Sequence, residues 1–459
     1  MRPVNPEMFR AYDIRGIVDR DFDPEWVESL GRACGTYFRR QGLTQAVVGR
    51  DNRHTSGEYQ ARLVEGLVST GVDCVFLPMV PTPVFYYAVR SLQRQAGVMI
   101  TASHNPPEFN GFKVWAGANT IHTDEIQKLY TIMKDEDFEQ GQGAASELDI
   151  VPSYLEELAG QTRLSHALKI VVDGGNGSGG KVCAELLRRI GAEVIELYCE
   201  PDPDFPNHHP DPTVLDNIQD LQETVTREQA HFGVGLDGDG DRIGVVDHCG
   251  RLLYGDQLLA LYARPILENH PGTTVIGEVK CSHLLFQDIA RHGGTPLMWK
   301  TGHSLIKAKM KETNALLAGE MSGHMFFGDR YYGFDDALYA AQRLAEIVDQ
   351  APEKTLDAYF ASWPKTENTP EIRKECPDAI KFTVIDKAQE YFKGQQGDFE
   401  VVDVDGVRIN FPDGWGLLRA SNTQPVLVLR FEAETAERLN EIRTFIEKPL
   451  EQWINEIQA

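Results

Sequence analysis

Three stretches of this chain repeat one plan, and that plan restricts the fold more than any other feature. The first runs QAVVGRD, a helix-period stretch from about Gly57 to Thr70, Gly71, VDCVFLP, another helix, then AGVMITASHNP. The second runs LKIVVDGGNGSGG, a helix over KVCAELLRRI, Gly191, AEVIELYCEPD, a helix near Gln219 to Gln229, then HFGVGLDGDGDR. The third runs TTVIGEVKCS, a helix over HLLFQDIARH, Gly293-Gly294, TPLMWKTGH, another helix, then NALLAGEMSGH. Each reads strand, loop, helix, glycine, strand, loop, helix, strand, motif. Strands alternating with helices of this length form largely parallel sheets with helices on both faces. TASHNP, DGDGDR and GEMSGH then occupy equivalent places, just past the carboxyl end of each third strand, where open α/β sheets bind ligands. Three such places predict three domains facing one cleft.

The remainder departs from the plan. Pro and polar residues in WPKTENTPEIR mark a linker, with a hinge expected at about residues 366–370. Beyond it, FEVVDVDGVRINFPDGWGLLRAS and PVLVLRFEA read as short strands with a turn at Pro412-Asp413-Gly414, framed by two helices. The expected fold is α/β, with three similar mixed α/β-sheet domains over 1–149, 150–250 and 251–367. A smaller C-terminal α+β domain over 368–459 completes a central cleft. A length of 459 residues accommodates three or four domains.

A formal net charge of −24 excludes ready binding to nucleic acid or anionic membranes, so neither is expected as a partner. An anionic substrate would need basic residues gathered locally against that field. Cysteines at 34, 74, 183, 199, 249, 281 and 376 show no CxxC spacing, and their number is odd. That argues against a zinc site and a disulfide framework, and for a reducing cytoplasm. The most apolar stretch, CVFLPMVPTPVFYYAV, is short and broken by Pro78, Pro81 and Pro83, which speaks against a membrane span.

In GLDGDGDR, glycines let the backbone curl so that Asp237, Asp239 and Asp241 can converge. Three close carboxylates repel unless a hard cation sits among them, and all-oxygen ligation suits Mg²⁺ or Ca²⁺. The EF-hand pattern fails, because Arg242 and His248 stand where its glycine and glutamate belong. Ser103 has no G-x-S-x-G elbow, and in an extended chain His104 would point away from it, making a poor base. Beside a metal site a serine has another use: it can carry a phosphoryl group whose oxygen completes the cation's shell. On its own, a loop Ser-His-Asn-Pro is equally a turn-capping hydroxyl. Pro106 and Pro107 bias the residues before them away from helical angles, so an extended loop is expected, with Gly111 letting Lys113 fold back towards the serine. Gly175, Gly177 and Gly180 fit G-x-G-x-x-G, with Glu200 near a ribose position, so a dinucleotide site is the competing reading to a tight strand-to-helix turn. Glu320, Ser322 and His324 in GEMSGH offer one face suited to sugar hydroxyls. Arg419, Ser421, Asn422 and Thr423 in RASNTQP offer phosphate donors.

AYDIRG, TASHNP, DGDGDR, GEMSGH and RASNTQP, in this order and at these intervals, resemble the α-D-phosphohexomutase family, in its bacterial phosphomannomutase/phosphoglucomutase branch. The resemblance spans essentially the whole chain. It implies reversible conversion of hexose 1-phosphate to hexose 6-phosphate, of glucose or mannose, through a hexose 1,6-bisphosphate. It implies that Ser103 is a phosphoserine and that Asp237, Asp239 and Asp241, with that phosphoserine, bind Mg²⁺. Glu320 and Ser322 would meet ring hydroxyls, and Arg419, Ser421, Asn422 and Thr423 the phosphate not being transferred. Tyr12, Arg15, His104, Lys113, Arg242, Lys280, His303 and His324 match further active-site positions. Lys113 is the candidate general base, with clustered Arg and Lys expected to lower its pKa. Glucose 1,6-bisphosphate is the implied activator, and a monomer acting on a small phosphosugar is expected. Met321 stands where the glucosamine-phosphate branch has Gln, which points away from an amino sugar. A Mg²⁺-dependent sugar phosphohydrolase, an NAD-dependent oxidoreductase and a catalytically silent sugar-phosphate sensor are the competing functions.

Overall fold

The computed structural model of the chain describes residues 2–351, 353, 355–422 and 424–458. The three repeats fold on one topology. In the first, parallel strands Gln45–Arg50, Asp73–Met79 and Ala96–Ile100 lie in spatial order third, first, second, and Phe109–Ala116 returns antiparallel beside the third. Lys169–Asp173, Glu193–Leu197 and Phe232–Leu236, with the return strand Ile243–Asp247, repeat that order. So do Thr274–Glu278, Thr295–Trp299 and Leu317–Gly319, with Met325–Phe327. Each motif therefore occupies the connection between the third parallel strand and its return. Ala96–Ile100 and Phe232–Leu236 are buried along their whole length, as befits strands covered on both faces by helices. Gly191 ends the helix Gly180–Ile190 at a φ of 112°, the left-handed cap that a glycine there forecasts.

Sequence reading missed the return strands. Phe109–Ala116 is FNGFKVWA, whose Asn110, Gly111 and Lys113 break the apolar pattern, yet its second half, from Phe112 to Ala116, pairs with Ala96–Ile100 and its first half, from Phe109 to Phe112, with Ile14–Ile17. Gly111 does not act as a bend. It lies in the sheet opposite Arg15, where a Cβ would fall 2.7 Å from the Ile14 carbonyl oxygen and 2.8 Å from that of Thr101. The polar residues of this strand are buried with partners on both faces: Lys113 reaches Asp239 (2.8 Å), and Asn110 donates to Thr55 Oγ1 (2.9 Å) and Ser56 Oγ (3.1 Å).

One apolar cluster runs continuously through all three repeats, from Tyr86 through Leu186 to Leu344, whereas the C-terminal domain closes a core of its own around Val384, Leu418 and Ile446. In that domain Val426–Ala433, Gly414–Ala420, Val407–Phe411 and Glu400–Val402 form an antiparallel sheet framed by helices Asp378–Gly394 and Ala436–Gln458. Part of the expected hinge belongs to this sheet: Glu367 and Asn368 pair with Ala433 and Glu432. Trp363 is tied to the third domain by its indole N–H on Asp288 (3.0 Å), which leaves 364–366 as the crossing. Among the described residues, no helix is long and apolar enough to cross a membrane.

Asp336 caps the buried helix Ala337–Gln350 and reaches the second domain. Its carboxylate accepts from the Tyr339 amide (2.8 Å) and from the hydroxyls of Tyr331 (2.7 Å) and Tyr154 (2.9 Å). Burial pushes this carboxyl up to about 6, against the pull of those hydrogen bonds. Its folded pKa is thus raised, so its contribution to stability is full below about pH 4 and is lost as pH rises through about 6. Asp336→Asn, which keeps the capping carbonyl without the charge, is expected to gain up to about 3 kcal/mol on the native chain at about pH 8 and about half of that at about pH 5. Thermal melts at the two pH values check this, and an offset independent of pH would contradict it.

Candidate active site

The TASHNP connection turns rather than extends. Ser103 sits at a φ of 52°, in the left-handed region, which costs an L-residue roughly 1–2 kcal/mol. The reason is its anchorage: the Ser103 amide donates to Thr101 Oγ1 (2.9 Å), and the Asn105 amide to the Ala102 carbonyl (2.9 Å). In this conformation the side chains of 103 and 104 do not diverge, which corrects the expectation for an extended loop. Ser103 Oγ lies 3.1 Å from His104 Nδ1 and donates to Asp237 Oδ2 at 2.7 Å. Burial, together with Arg242 and Arg15, holds His104 well below the ordinary imidazole range, so the ring is neutral. Arg15, on the strand Ile14–Ile17, donates to Asn105 Oδ1 (2.7 Å) and pairs with Asp13.

Asp237, Asp239 and Asp241 converge as the glycine spacing implies. All three are wholly buried, and one carboxylate oxygen from each lies within 4.8 Å of the others. Among the described residues Asp239 Oδ1 has no hydrogen-bond partner, and Asp241 Oδ1 meets only His324 Nε2, at 3.2 Å. Burial and the two neighbouring carboxylates push Asp237 well above the usual range. Unspent lone pairs on clustered oxygens in a dry site are the donor set of a small, hard divalent cation, and Mg²⁺ fits it. The glycine turn of the second repeat supports this loop from behind. A Cβ on Gly177 would lie 2.6 Å from the Gly238 carbonyl oxygen, which also accepts from the Ser178 amide (3.0 Å). Glu200 is ion-paired with Lys181. Gly177 packs on the aspartate loop, Gly175 on Pro210 and Gly180 on Cys199, so the turn is spent on packing within the protein, as the reading of a tight strand-to-helix turn requires.

Lys113, on the return strand, inserts its ammonium between two of the aspartates: it donates to Asp239 Oδ2 (2.8 Å) and to Asp241. Burial alone would depress its pKa, but those carboxylates override it and hold the lysine well above its ordinary value. The expected depression by clustered Arg and Lys is therefore reversed here, because the nearest charges are acidic. Arg242 closes the other side, its Nε 4.0 Å from Asp237 Oδ2.

GEMSGH joins this centre through His324, which lies 3.2 Å from Asp241 on one side and 2.8 Å from Glu320 on the other, with Ser322 Oγ 3.1 Å from its Nδ1. Burial opposes the charge, but Asp241 and Glu320 prevail and raise His324 to about 9, so it is an imidazolium at neutral pH. Glu320 also accepts from the Gly302 amide (2.6 Å). Gly302 must be glycine: its φ is 131°, and a Cβ would stand 2.5 Å from the Tyr12 ring. His303 opens the next helix, with its ring 6.0 Å from that of Tyr12 and 5.6 Å from that of His324.

Tyr12 gathers three domains. Its hydroxyl donates to the Thr301 carbonyl (2.8 Å) and accepts from Asn422. Arg419, buried at the end of Gly414–Ala420, pairs with Asp405 (3.0 Å), whose carboxylate also accepts from the Thr301 amide (3.0 Å). Ser421 Oγ accepts from the Gln424 amide (3.1 Å), while Thr423 lies outside the described residues. Lys280 stands between Glu278 (3.7 Å) and Glu371 (3.2 Å). The domains are thus drawn together on one centre, with every described residue of the sequence-based set in or around it.

Sequence reasoning overlooked the residues behind this set. Lys307, buried against the Tyr86 ring at 4.4 Å, bonds Asp335 (2.9 Å), which lies 3.4 Å from His303 and, with Asp241 and His324, in a second close cluster. Lys381 donates to the Gln424 carbonyl (3.0 Å) and to that of Ser421, holding the RASNTQP loop. Arg53 does the same for the Ser103 loop. An isolated Lys or Arg in a helix or loop carries no signal of such a task.

A buried serine hydroxyl against a carboxylate trio, at the meeting of three like α/β domains and one α+β domain, is a centre suited to metal-assisted phosphoryl transfer. Comparison with known proteins gives the same answer domain by domain. The family models for phosphoglucomutase/phosphomannomutase alpha/beta/alpha domains I, II and III match residues 6–140, 152–250 and 254–366, and the C-terminal domain model matches 371–448. The chain belongs to the phosphoglucomutase/phosphomannomutase family. A phosphomannomutase/phosphoglucomutase of Pseudomonas aeruginosa is 45% identical over 443 residues, 96% of this chain and 95% of its own. A phosphoglucomutase of Neisseria gonorrhoeae is 41% identical over 450 residues, 96% of each chain. The crystal structure of a phosphoglucomutase/phosphomannomutase family protein from Burkholderia thailandensis, 42% identical, superposes with a TM-score of 0.92 over 98% of both chains.

Proposed function

We propose that the protein interconverts the 1- and 6-phosphates of glucose, mannose or both, with Ser103 as the phosphoryl carrier and a hexose 1,6-bisphosphate as the intermediate. The observation that carries this reading is the Ser103 hydroxyl held 2.7 Å from Asp237, inside the aspartate loop. Family membership and the names of the relatives supply the hexose-phosphate chemistry. Asp237, Asp239 and Asp241 would hold Mg²⁺. When bound, the ion neutralises charge on the phosphoryl oxygens, which is most of what phosphoryl transfer requires.

In the forward direction the bond between phosphorus and Ser103 Oγ breaks and a bond to the sugar's free 6-hydroxyl oxygen forms, the hydroxyl proton passes to solvent, and the freed Ser103 Oγ takes up a proton. The neutral His104 imidazole stands within reach of Ser103 Oγ to exchange its proton. Lys113, Arg15 and Arg242 surround the transfer with positive charge. Lys113, as placed, acts by that charge; proton acceptance would require release from Asp239 and Asp241. Glu320 and Ser322 meet ring hydroxyls, with His303 and His324 beside them. Tyr12, Lys280, Arg419, Ser421 and Asn422 face the phosphate that is not being transferred. The bisphosphate then turns over in the cleft and returns its other phosphate to Ser103. Glucose 1,6-bisphosphate would restore phosphate to a bare serine, which makes it the activator. A monomer in the cytoplasm completes the reading, and six buried free thiols suit a reducing compartment.

A coupled assay with glucose 1-phosphate and mannose 1-phosphate, Mg²⁺ and trace bisphosphate tests it. Conversion to the 6-phosphate without release of inorganic phosphate is expected. Phosphate release at the rate of substrate loss would establish a phosphohydrolase instead.

The idle phosphate should meet Arg419 in both sugar orientations. Arg419→Ala removes a charge-assisted contact worth about 1.5–3 kcal/mol. It is expected to lower kcat/KM by about one to two powers of ten in both reaction directions. It should also increase the demand for added bisphosphate, while Ser103 phosphorylation survives. An effect confined to one direction would rule out a shared anchor.

A further inference from the structure

Arg53 lies outside every motif above, yet it is the most heavily engaged side chain of the Ser103 loop. The residue is 3% exposed, and its guanidinium donates four hydrogen bonds, all to main-chain carbonyls of one short segment. One nitrogen serves Pro106 (2.7 Å) and Phe109 (3.0 Å), the other Ser103 (2.9 Å) and Asn105 (2.6 Å). Asp51 stands 3.2 Å from its Nε and fixes the start of the same turn, accepting from the Arg53 amide (3.0 Å) and from Ser56 Oγ (2.6 Å). The Thr101 hydroxyl oxygen accepts the Ser103 amide (2.9 Å). On the far side the Phe205 ring of the second domain covers the guanidinium at 5.4 Å.

The carbonyls point inward because the loop wraps the guanidinium. A planar fork of donors can address four acceptors at fixed angles, whereas an ammonium has three donors at one point. The segment so gripped contains Ser103 in its left-handed conformation, the conformation that brings Oγ to both Asp237 and His104. A residue held away from its preferred backbone angles persists only when its surroundings over-determine it. Arg53 supplies that constraint without touching the reacting atoms.

We infer that Arg53 is a positioning residue for phosphoryl transfer, locking the loop so that Ser103 Oγ keeps its place when the phosphoryl group arrives and leaves. The inference rests on Ser103 being the phosphoryl carrier. Transfer depends on placement to within about 1 Å, where misplacement costs about a hundredfold. Sugar binding engages other loops. Loosening this grip should therefore slow the chemical step and spare affinity.

The test is Arg53→Lys in the full chain, with folding checked by thermal melt. Two readings are taken: kcat and KM for glucose 1-phosphate, and the rate at which dephosphorylated enzyme takes phosphate onto Ser103 from glucose 1,6-bisphosphate, followed by peptide mass spectrometry. The expected result is a kcat about 30- to 100-fold lower, a KM within about threefold, and Ser103 phosphorylation slowed by a similar factor. A merely structural role would lower the amount of folded enzyme and leave the per-molecule phosphorylation rate intact. If the lysine variant does not fold, Thr101→Val, nearly isosteric and lacking the acceptor for the Ser103 amide, takes its place, and the same division between kcat and KM is expected. A folded variant that phosphorylates Ser103 at the native rate, or whose kcat and KM change in proportion, overturns the inference. Native enzyme that is active with phosphate on some other residue would instead bring down the functional reading itself.

Discussion

Ser103→Ala is expected to lower turnover by about four powers of ten or more, since removing a covalent carrier removes the pathway and not one contribution to it. Alanine keeps the backbone and its bond to Thr101 and deletes only the oxygen that faces Asp237 and His104. Folding and phosphosugar binding should therefore survive. Calorimetric titration with glucose 1-phosphate, beside the assay, separates the two effects. A variant that keeps more than a few per cent of native activity would assign the phosphoryl group elsewhere.

Stripping divalent cations with EDTA is expected to cost about three powers of ten or more, and Mg²⁺ should restore the activity. The magnitude follows from several kcal/mol of charge stabilisation on a transferring phosphoryl group. The location follows from three buried carboxylates whose oxygens converge, with Asp239 Oδ1 unpartnered among the described residues. Asp239→Asn should weaken the Mg²⁺ dependence, raising the concentration needed for half-maximal rate. It removes one oxygen of the donor set and a charge that Lys113 and Thr82 also use. Full activity in metal-free buffer would contradict the assignment of the trio.

The fold was legible where the chain repeats itself. Regular alternation of apolar runs, amphipathic helices and capping glycines such as Gly191 marked the parallel strands and their order of use. The return strands were not legible, because Phe109–Ala116 buries Asn110 against Thr55 and Ser56 and Lys113 against the aspartates, and so lacks the apolar signature of a buried strand. The candidate site divided in the same way. Carboxylates separated by glycines announce their chemistry in one dimension, and Asp237, Asp239 and Asp241 converge as read. The conformation of Ser103 was hidden, because prolines downstream argue for extended backbone while the left-handed φ is held by a local bond to Thr101 and by tertiary contacts from Arg53 and Gly238. The charge on Lys113 was hidden for a related reason. Its own neighbours in sequence are neutral, and the carboxylates that set its pKa arrive from a strand connection more than a hundred residues away. Pair-specific electrostatics across domains leave no mark on a linear pattern.

The most direct test of the central claim is a rapid-quench single turnover. Phosphorylated enzyme is mixed with hexose 1-phosphate, and the phosphate is located by peptide mass spectrometry while sugar phosphates are counted in the same samples. The account predicts phosphate on Ser103 at the start, its loss as hexose 1,6-bisphosphate forms, and its return to Ser103 as hexose 6-phosphate appears. Conversion that proceeds with Ser103 unmodified throughout, or with phosphate cycling on another residue, would contradict it.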